Sequence, residues 1–233
     1  MLKEYLKQFN IECTDEMLNK FTQFSKLLVF WNEKINLTAI TDEKEIEIKH
    51  FVDSLSILKT GKIENGTSLI DIGCGAGFPS FPIKFALPDT DVVQLDSLNK
   101  RVNFLNSVSD ELCLTKIKAV HFRAEDGARE KSLREVFDVA CARAVASLPS
   151  LIELCVPYVK TGGYFIAMKG SETDEEIKIS KNALKALKCE IEDVITLELP
   201  EISHKRNIIV IKKLGNTDNK YPRNAPKPLK QPL

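Results

Sequence analysis

The chain has 233 residues, 43% hydrophobic and 28% charged, which suits one globular domain with an ordinary core and excludes a disordered chain. Lys plus Arg and Asp plus Glu both total 33, so no overall field draws the protein to nucleic acid or membrane, and any RNA contact must come from locally segregated basic residues. The six cysteines include no CxxC pair, which argues against a zinc or redox motif, and they are expected to be buried reduced thiols with no metal.

The opening "MLKEYLKQFN" alternates charged and apolar residues and lacks the apolar core of a signal peptide, and no run approaches the ~18 residues of a membrane span. A cytoplasmic protein without a membrane partner is expected. From Thr14 to about Glu33, Met17, Phe21, Phe24, Leu28 and Trp31 recur at helical spacing and predict one buried face. A second helix is predicted from about Glu43 to Leu58, with Asp42 as N-cap, Glu45 completing a capping box, and Ile48, Val52 and Leu55 facing inward. Residues 1–60 thus read as a helical lead-in.

From 61 to 215 the pattern changes. "SLIDIG", "DVVQLD", "KAVHFRAED", "FDVACARAV" and "GGYFIAMKG" read as strands, alternating with the helical "SFPIKFAL", "KRVNFLNSVSDELCL" and "LPSLIELCVPYVK". That alternation predicts an α/β fold with a parallel sheet covered on both faces. "EDVITLELP" and "HKRNIIVIKKL" then predict an antiparallel hairpin at one sheet edge. Residues 216–233 contain "NKYPRNAPKPLKQPL", with four prolines, four basic side chains and no acid, and read as an extended tail, either a solvated appendage or a basic arm.

The chemistry concentrates around "LIDIGCGAGFP". Gly73, Gly75 and Gly77 lie between a strand and a helix in the first βαβ unit, where doubly wound sheets bind ligands. The dinucleotide fingerprint GxGxxG is not met, because Phe78 stands where its third glycine belongs. Asp71, two residues before Gly73, would repel a pyrophosphate and favour a cationic ligand. S-adenosylmethionine, with a sulfonium, an α-ammonium and no phosphate, fits; a turn-capping role for Asp71 is the plainer alternative. Asp96 ends the next strand 19 residues after Gly77, where a carboxylate meets ribose hydroxyls. Arg123, Ala124 and Glu125 follow the third strand, placed to pack on adenine, and Arg143 at the tip of the fourth strand is placed to reach the crevice.

"WNEKINLTAI", "HFVDSL", "DIGCGAGFPSFPI", "LDSLNKRVNFL", "RAED", "ARAVASL" and "GGYFIAMKG" occur in the order and spacing of the bacterial glucose-inhibited division protein B family, also called RsmG, which the chain resembles from about residue 25 to 213. The resemblance implies a class I methyltransferase (Rossmann-like) fold: a mainly parallel seven-stranded sheet with an antiparallel edge strand, plus N-terminal helices. It implies S-adenosylmethionine-dependent methylation of a guanine N7 in 16S ribosomal RNA, in the 530-loop region, on 16S rRNA or the 30S subunit. It also implies Gly73 and Phe78 at the methionine and adenosine end of the cofactor, Asp96 and Ser97 at the ribose, Ala124 and Glu125 at adenine, and Arg143 between cofactor and target. Ser80 departs from the family, which usually has glycine there.

Guanine N7 attacks through an in-plane lone pair and loses no proton, so no general base is required and positioning is the remaining work. Arg143 and Arg123 are the candidates to orient the base through O6 or a phosphate. Exocyclic-amine methylation is disfavoured because the chain has no Pro-Pro, and pyrimidine C5 methylation because Cys74 and Cys141 are poorly placed as nucleophiles. His50 and Asp53 lie three apart on a predicted helix and can touch; His121 and His204 read as ordinary. Lys100, Arg101, Lys205, Arg206, Arg223, Lys227 and Lys230 are the candidate phosphate contacts. A monomer is expected. The alternatives are a small-molecule methyltransferase on the same fold, a non-catalytic RNA-binding or assembly protein, and, last, a nicotinamide oxidoreductase.

Overall fold

Among the described residues, seven strands pair in one sheet: β1 (Ser68–Ile72), β2 (Asp91–Asp96), β3 (Ile117–His121), β4 (Phe137–Arg143), β5 (Val159–Lys169), β6 (Cys189–Glu198) and β7 (Lys205–Lys213). The computed structural model describes residues 1–143, 146–171, 173–202 and 205–233; His204 and part of "ARAVASL" lie outside them. The strand order is β3-β2-β1-β4-β5-β7-β6. Pairing from β3 through β5 is parallel, as the strand–helix alternation predicted. The β6–β7 hairpin occupies the other edge, and its return strand β7 inserts antiparallel between β5 and β6. Lys169 of β5 therefore registers with Asn207 of β7. The start of β7 meets the carboxyl ends of the parallel strands, where ligands bind in this architecture.

The helical segment before the sheet begins with α1 (Leu2–Gln8) and α2 (Asp15–Ile35). The Thr14 side chain caps α2 by accepting the Met17 N–H at 3.1 Å, and Asn36 ends it in the left-handed region at φ 49°. Met17, Phe21, Phe24 and Leu28 are buried as their spacing predicted, while Trp31 is only partly covered. The predicted second helix starts where Asp42 accepts the Glu45 N–H at 2.9 Å. It then changes pitch: α3 (Glu43–Ile46), a π-helical stretch (Glu47–Val52), α4 (Asp53–Leu55) and a 3-10 turn (Ser56–Thr60). Such π segments are rare and recur at functional sites.

α5 (Ser80–Ala86), α6 (Asn99–Glu111), α7 (Ala124–Gly127), α8 (Leu148–Cys155), α9 (Asp174–Ile179) and α10 (Lys181–Ala186) cover the sheet. Phe21, Phe24 and Phe51 of the lead-in pack with Phe78, Phe81 and Phe85 behind the glycine turn, with Phe24 5.5 Å from Phe78 and 5.0 Å from Phe81 between ring centroids. The lead-in helices therefore complete the core on which the turn rests.

Two expectations need correction. Cys13, Cys74, Cys141, Cys155 and Cys189 are buried and free, but Cys113 is exposed, because it follows the end of α6 at φ 50° and turns outward. The C-terminal segment is a docked strap rather than an extended appendage. Arg134 donates to the carbonyls of Thr217, Asp218 and Tyr221 at 3.0–3.3 Å, and Arg129 to Pro222 O at 2.6 Å. The strap then folds into a single turn, α11 (Lys227–Lys230), against α8. Its backbone carbonyls gain arginine donors, a partnership that prolines do not forbid because they remove only N–H groups.

Candidate active site

The glycine turn joins β1 to α5 at the carboxyl edge of the sheet. Gly73 and Gly77 have φ of 71° and 84°, which disfavours an L side chain. A Cβ on Gly77 would collide with the Phe81 ring and lie 3.1 Å from Leu105 Cδ2, so this backbone is pressed against α5 and α6. The turn is tied across to β2, Gly73 N–H donating to Leu95 O at 2.8 Å and Gly75 N–H to Asp96 Oδ2 at 3.0 Å. Asp96 Oδ1 accepts from Leu98 N–H at 2.9 Å, and Arg101 lies 3.5 Å from Oδ2. Asp96 Oδ1 thus keeps a second acceptor site, while Oδ2 is shared by the Gly75 N–H and Arg101.

Asp71 is buried beneath this turn. Its Oδ2 accepts the Ser80 N–H at 3.2 Å, while Oδ1 has no partner among the described residues. Burial pushes its carboxyl up to about 7, against the opposing influence of the Ser80 hydrogen bonds and Arg143. The Ser80 hydroxyl accepts from Gln94 Nε2 at 2.9 Å. Asp71 thus caps the start of α5 and still offers one unpaired acceptor, so the two roles considered from the sequence are compatible.

Two hollows flank the turn. One, of about 160 Å³, is lined by Gly73, Ser97, Arg123, Ala124 and Glu125 together with Phe122, Leu151, Leu154 and Leu229. Four of the expected cofactor contacts, Gly73, Ser97, Ala124 and Glu125, meet here. The other, of about 380 Å³, is lined by Ile40, Lys49, His50, Asp53, Arg143, Met168, Lys169, Gly170 and Arg206. Arg143 and Arg123, paired in expectation, therefore stand in different hollows.

The larger cleft is organised by Asp53. Its Oδ2 accepts from Arg143 Nη1 at 3.1 Å and its Oδ1 from Arg206 Nε at 3.0 Å. The Arg143 guanidinium also lies over the Phe78 ring, 4.9 Å from its centroid, and meets Lys49 O at 3.3 Å. His50 stacks on Phe78 with ring centroids 4.5 Å apart, bonds Thr38 Oγ1 through Nε2 at 2.8 Å, and lies 3.4 Å from Arg143 Nη2 through Nδ1. Burial, then Arg143, push its imidazole down to about 3, so it is neutral near pH 7. His50 and Asp53 thus meet Arg143 rather than acting as an isolated pair.

The expected RNA contacts divide. Lys100, Lys205 and Lys227 are exposed, and Arg101 is drawn toward Asp96. Arg206 faces the cleft instead of the hairpin exterior, because β7 starts there. Arg223 is engaged within the chain: its guanidinium and backbone N–H bind the fully buried Glu153 carboxylate, with Nη2 2.6 Å from Oε2. The sequence reading missed Lys49 and Lys169 as cleft residues. Lys169 ends a strand just as Arg143 does, a signal that would have found it; it donates to Ala146 O at 2.8 Å and pairs with Glu176 at 2.9 Å.

A family model described as rRNA small subunit methyltransferase G matches residues 17–209. The chain belongs to this family. A ribosomal RNA small subunit methyltransferase G from Acetivibrio thermocellus is 49% identical over 233 residues, 100% of this chain and 96% of that protein. The corresponding protein of Alkaliphilus oremlandii is 45% identical over 233 residues, covering 100% and 98%. Among solved structures, a SAM dependent methyltransferase from Aquifex aeolicus superposes with a TM-score of 0.54 at 15% identity, covering 82% of this chain and 97% of that one. Fibrillarin from Aeropyrum pernix, with natively bound S-adenosyl-L-methionine, gives 0.51 at 16% identity over 64% and 68%. The shared fold is the class I methyltransferase fold. The family match runs from α2 into β7 and stops short of the strap.

Proposed function

We propose that the chain transfers the methyl group of S-adenosylmethionine to N7 of a guanine in 16S rRNA, in the 530-loop region, working as a cytoplasmic monomer. The observation that carries this reading is the cleft itself, which gathers Lys49, Arg143, Lys169 and Arg206 and reaches Phe78 of the glycine turn through Arg143, while its acid–base groups are occupied. Both Asp53 oxygens hold arginines, both His50 nitrogens have neighbours, and Glu176 is taken by Lys169 and the Leu148 N–H. A reaction that had to remove a proton would lack a free acceptor among these residues; attack by guanine N7 removes none.

In this reading the cofactor's contacts are those expected from the sequence. The backbone of Gly73, Gly75 and Gly77 would hold its amino-acid portion, the unpaired Asp71 oxygen would favour its cationic charge, Asp96 and Ser97 would take the ribose, and Ala124 and Glu125 would meet adenine. Phe78 holds the Arg143 side of this arrangement in place. Bound there, the cofactor supplies a methyl group on a sulfonium, which departs as a neutral thioether as the N–C bond forms. Arg143, fixed by Asp53 and Phe78, would orient guanine through O6 while the other cations hold phosphates, and the gain is one of alignment. Among the described residues no helix is long and apolar enough to cross a membrane.

The test is methyl transfer from labelled S-adenosylmethionine to 30S subunits and naked rRNA lacking the modification, followed by base mapping. N7-methylguanine at one position is the expected product. Cofactor binding with no label on either RNA substrate would instead favour a small-molecule acceptor or a non-catalytic assembly protein.

A further inference from the structure

The strap that follows the sheet contributes Leu229 to the hollow assigned above to adenine, which Phe122 after β3, Ala124 at the start of α7, and Leu151 and Leu154 of α8 also line. Leu229 is 53% exposed although it lines this pocket, so an apolar face is presented to whatever occupies it. Its placement is built. Glu153, on the same α8 turn as Leu151 and Leu154 and fully buried, receives three side-chain contacts from Arg223 at 2.6–3.1 Å and its backbone N–H at 2.7 Å. Ser150, one turn earlier, donates its hydroxyl to Pro228 O at 2.7 Å. The residue before Leu229 and the helix that makes the pocket's inner wall are thus joined directly.

We propose that the C-terminal strap is the outer wall of the adenine pocket, with Leu229 packing on the purine and the Glu153–Arg223 pair as its latch. This inference rests on the adenosylmethionine reading above. A buried ion pair is a poor source of net stability but a strong constraint on geometry once formed, because either partner alone would be left as an unpaired charge. Arg223 therefore acts on cofactor binding through position, without touching the cofactor.

The full chain would be titrated calorimetrically with S-adenosylhomocysteine and, separately, with adenosine, for the wild type, Leu229→Ser, Leu229→Met and Arg223→Ala. Leu229→Ser is expected to weaken both ligands by roughly five- to tenfold, the size of a lost apolar contact, with the unliganded melting temperature unchanged. Leu229→Met should retain near wild-type affinity, and Arg223→Ala should weaken both ligands without altering RNA affinity of the unliganded protein. Wild-type affinity in Leu229→Ser would overturn the proposal, as would loss of RNA binding alone in either variant. Failure of the wild type to bind S-adenosylhomocysteine would remove the underlying cofactor reading and this inference with it, an outcome visible without any variant.

Discussion

Asp53 holds two arginines from different strands, and that sharing is the feature most open to a single substitution. With Asp53→Asn, Arg143 and Arg206 lose their common counter-charge and gain freedom to swing, so methyl transfer to RNA should fall about 10- to 100-fold, since small misplacements of reacting groups have effects of that size. Calorimetric cofactor affinity should stay close to wild type, which separates positioning from binding. Asp71 and His50 shape pH dependence in opposite directions. The folded Asp71 carboxyl sits at about 7, above its ordinary 3.8, so the folded state holds the extra proton between these values and this group lowers stability as pH rises through the window. His50, pushed down from 6.5 to about 3, contributes stability that is present above its ordinary value and lost as pH falls through that range. Urea midpoints measured across the range should show a flatter decline toward neutrality in Asp71→Asn, and a smaller loss toward acid in His50→Gln.

At the level of elements, the glycine turn works because aromatic packing presses α5 against it. Gly77→Ala adds a methyl where the Phe81 ring already lies and imposes a left-handed backbone on an L residue, so it should destabilise by about 1–3 kcal/mol and loosen the loop. Chemical denaturation read alongside S-adenosylhomocysteine titration checks this, and a variant of wild-type stability and affinity would contradict it. α2 was legible because Met17, Phe21, Phe24 and Leu28 repeat at helical spacing. α9 and α10 were not, because "SETDEEIKISKNALKALKC" buries only Ala183 on its two short helices and so carries little apolar period. The π stretch at Glu47–Val52 was also invisible, since the change of pitch is set by what His50 and Phe51 pack against.

For the molecule as a whole, a net charge of zero conceals local differences: the four basic side chains of the cleft already pair with Glu45, Asp53 and Glu176, whereas Lys100 and Lys205 stand exposed. RNA affinity should therefore fall with salt despite the neutral total. Lys205→Ala and Lys100→Ala, both exposed, should each reduce the log–log salt slope by about 1 if each meets a phosphate. Arg223→Ala should leave the slope unchanged, because Glu153 already neutralises that guanidinium. Filter binding across a salt series distinguishes these outcomes.

The sequence by itself determined the alternation of strands and helices, the glycine turn with its flanking acids, and the family, because each rests on local spacing that the backbone translates directly into structure. Gly73, Ser97, Ala124 and Glu125, named from the sequence, line one hollow. Only the tertiary structure decided which charged groups face one another: that Asp53 joins Arg143 to Arg206, that Arg123 stands apart from Arg143, and that Arg223 pairs with the buried Glu153. Those pairings cross 70 to 153 positions of chain. The antiparallel insertion of β7 and the wrapping of the strap create them, and neither leaves a periodic trace in the residues that it brings together.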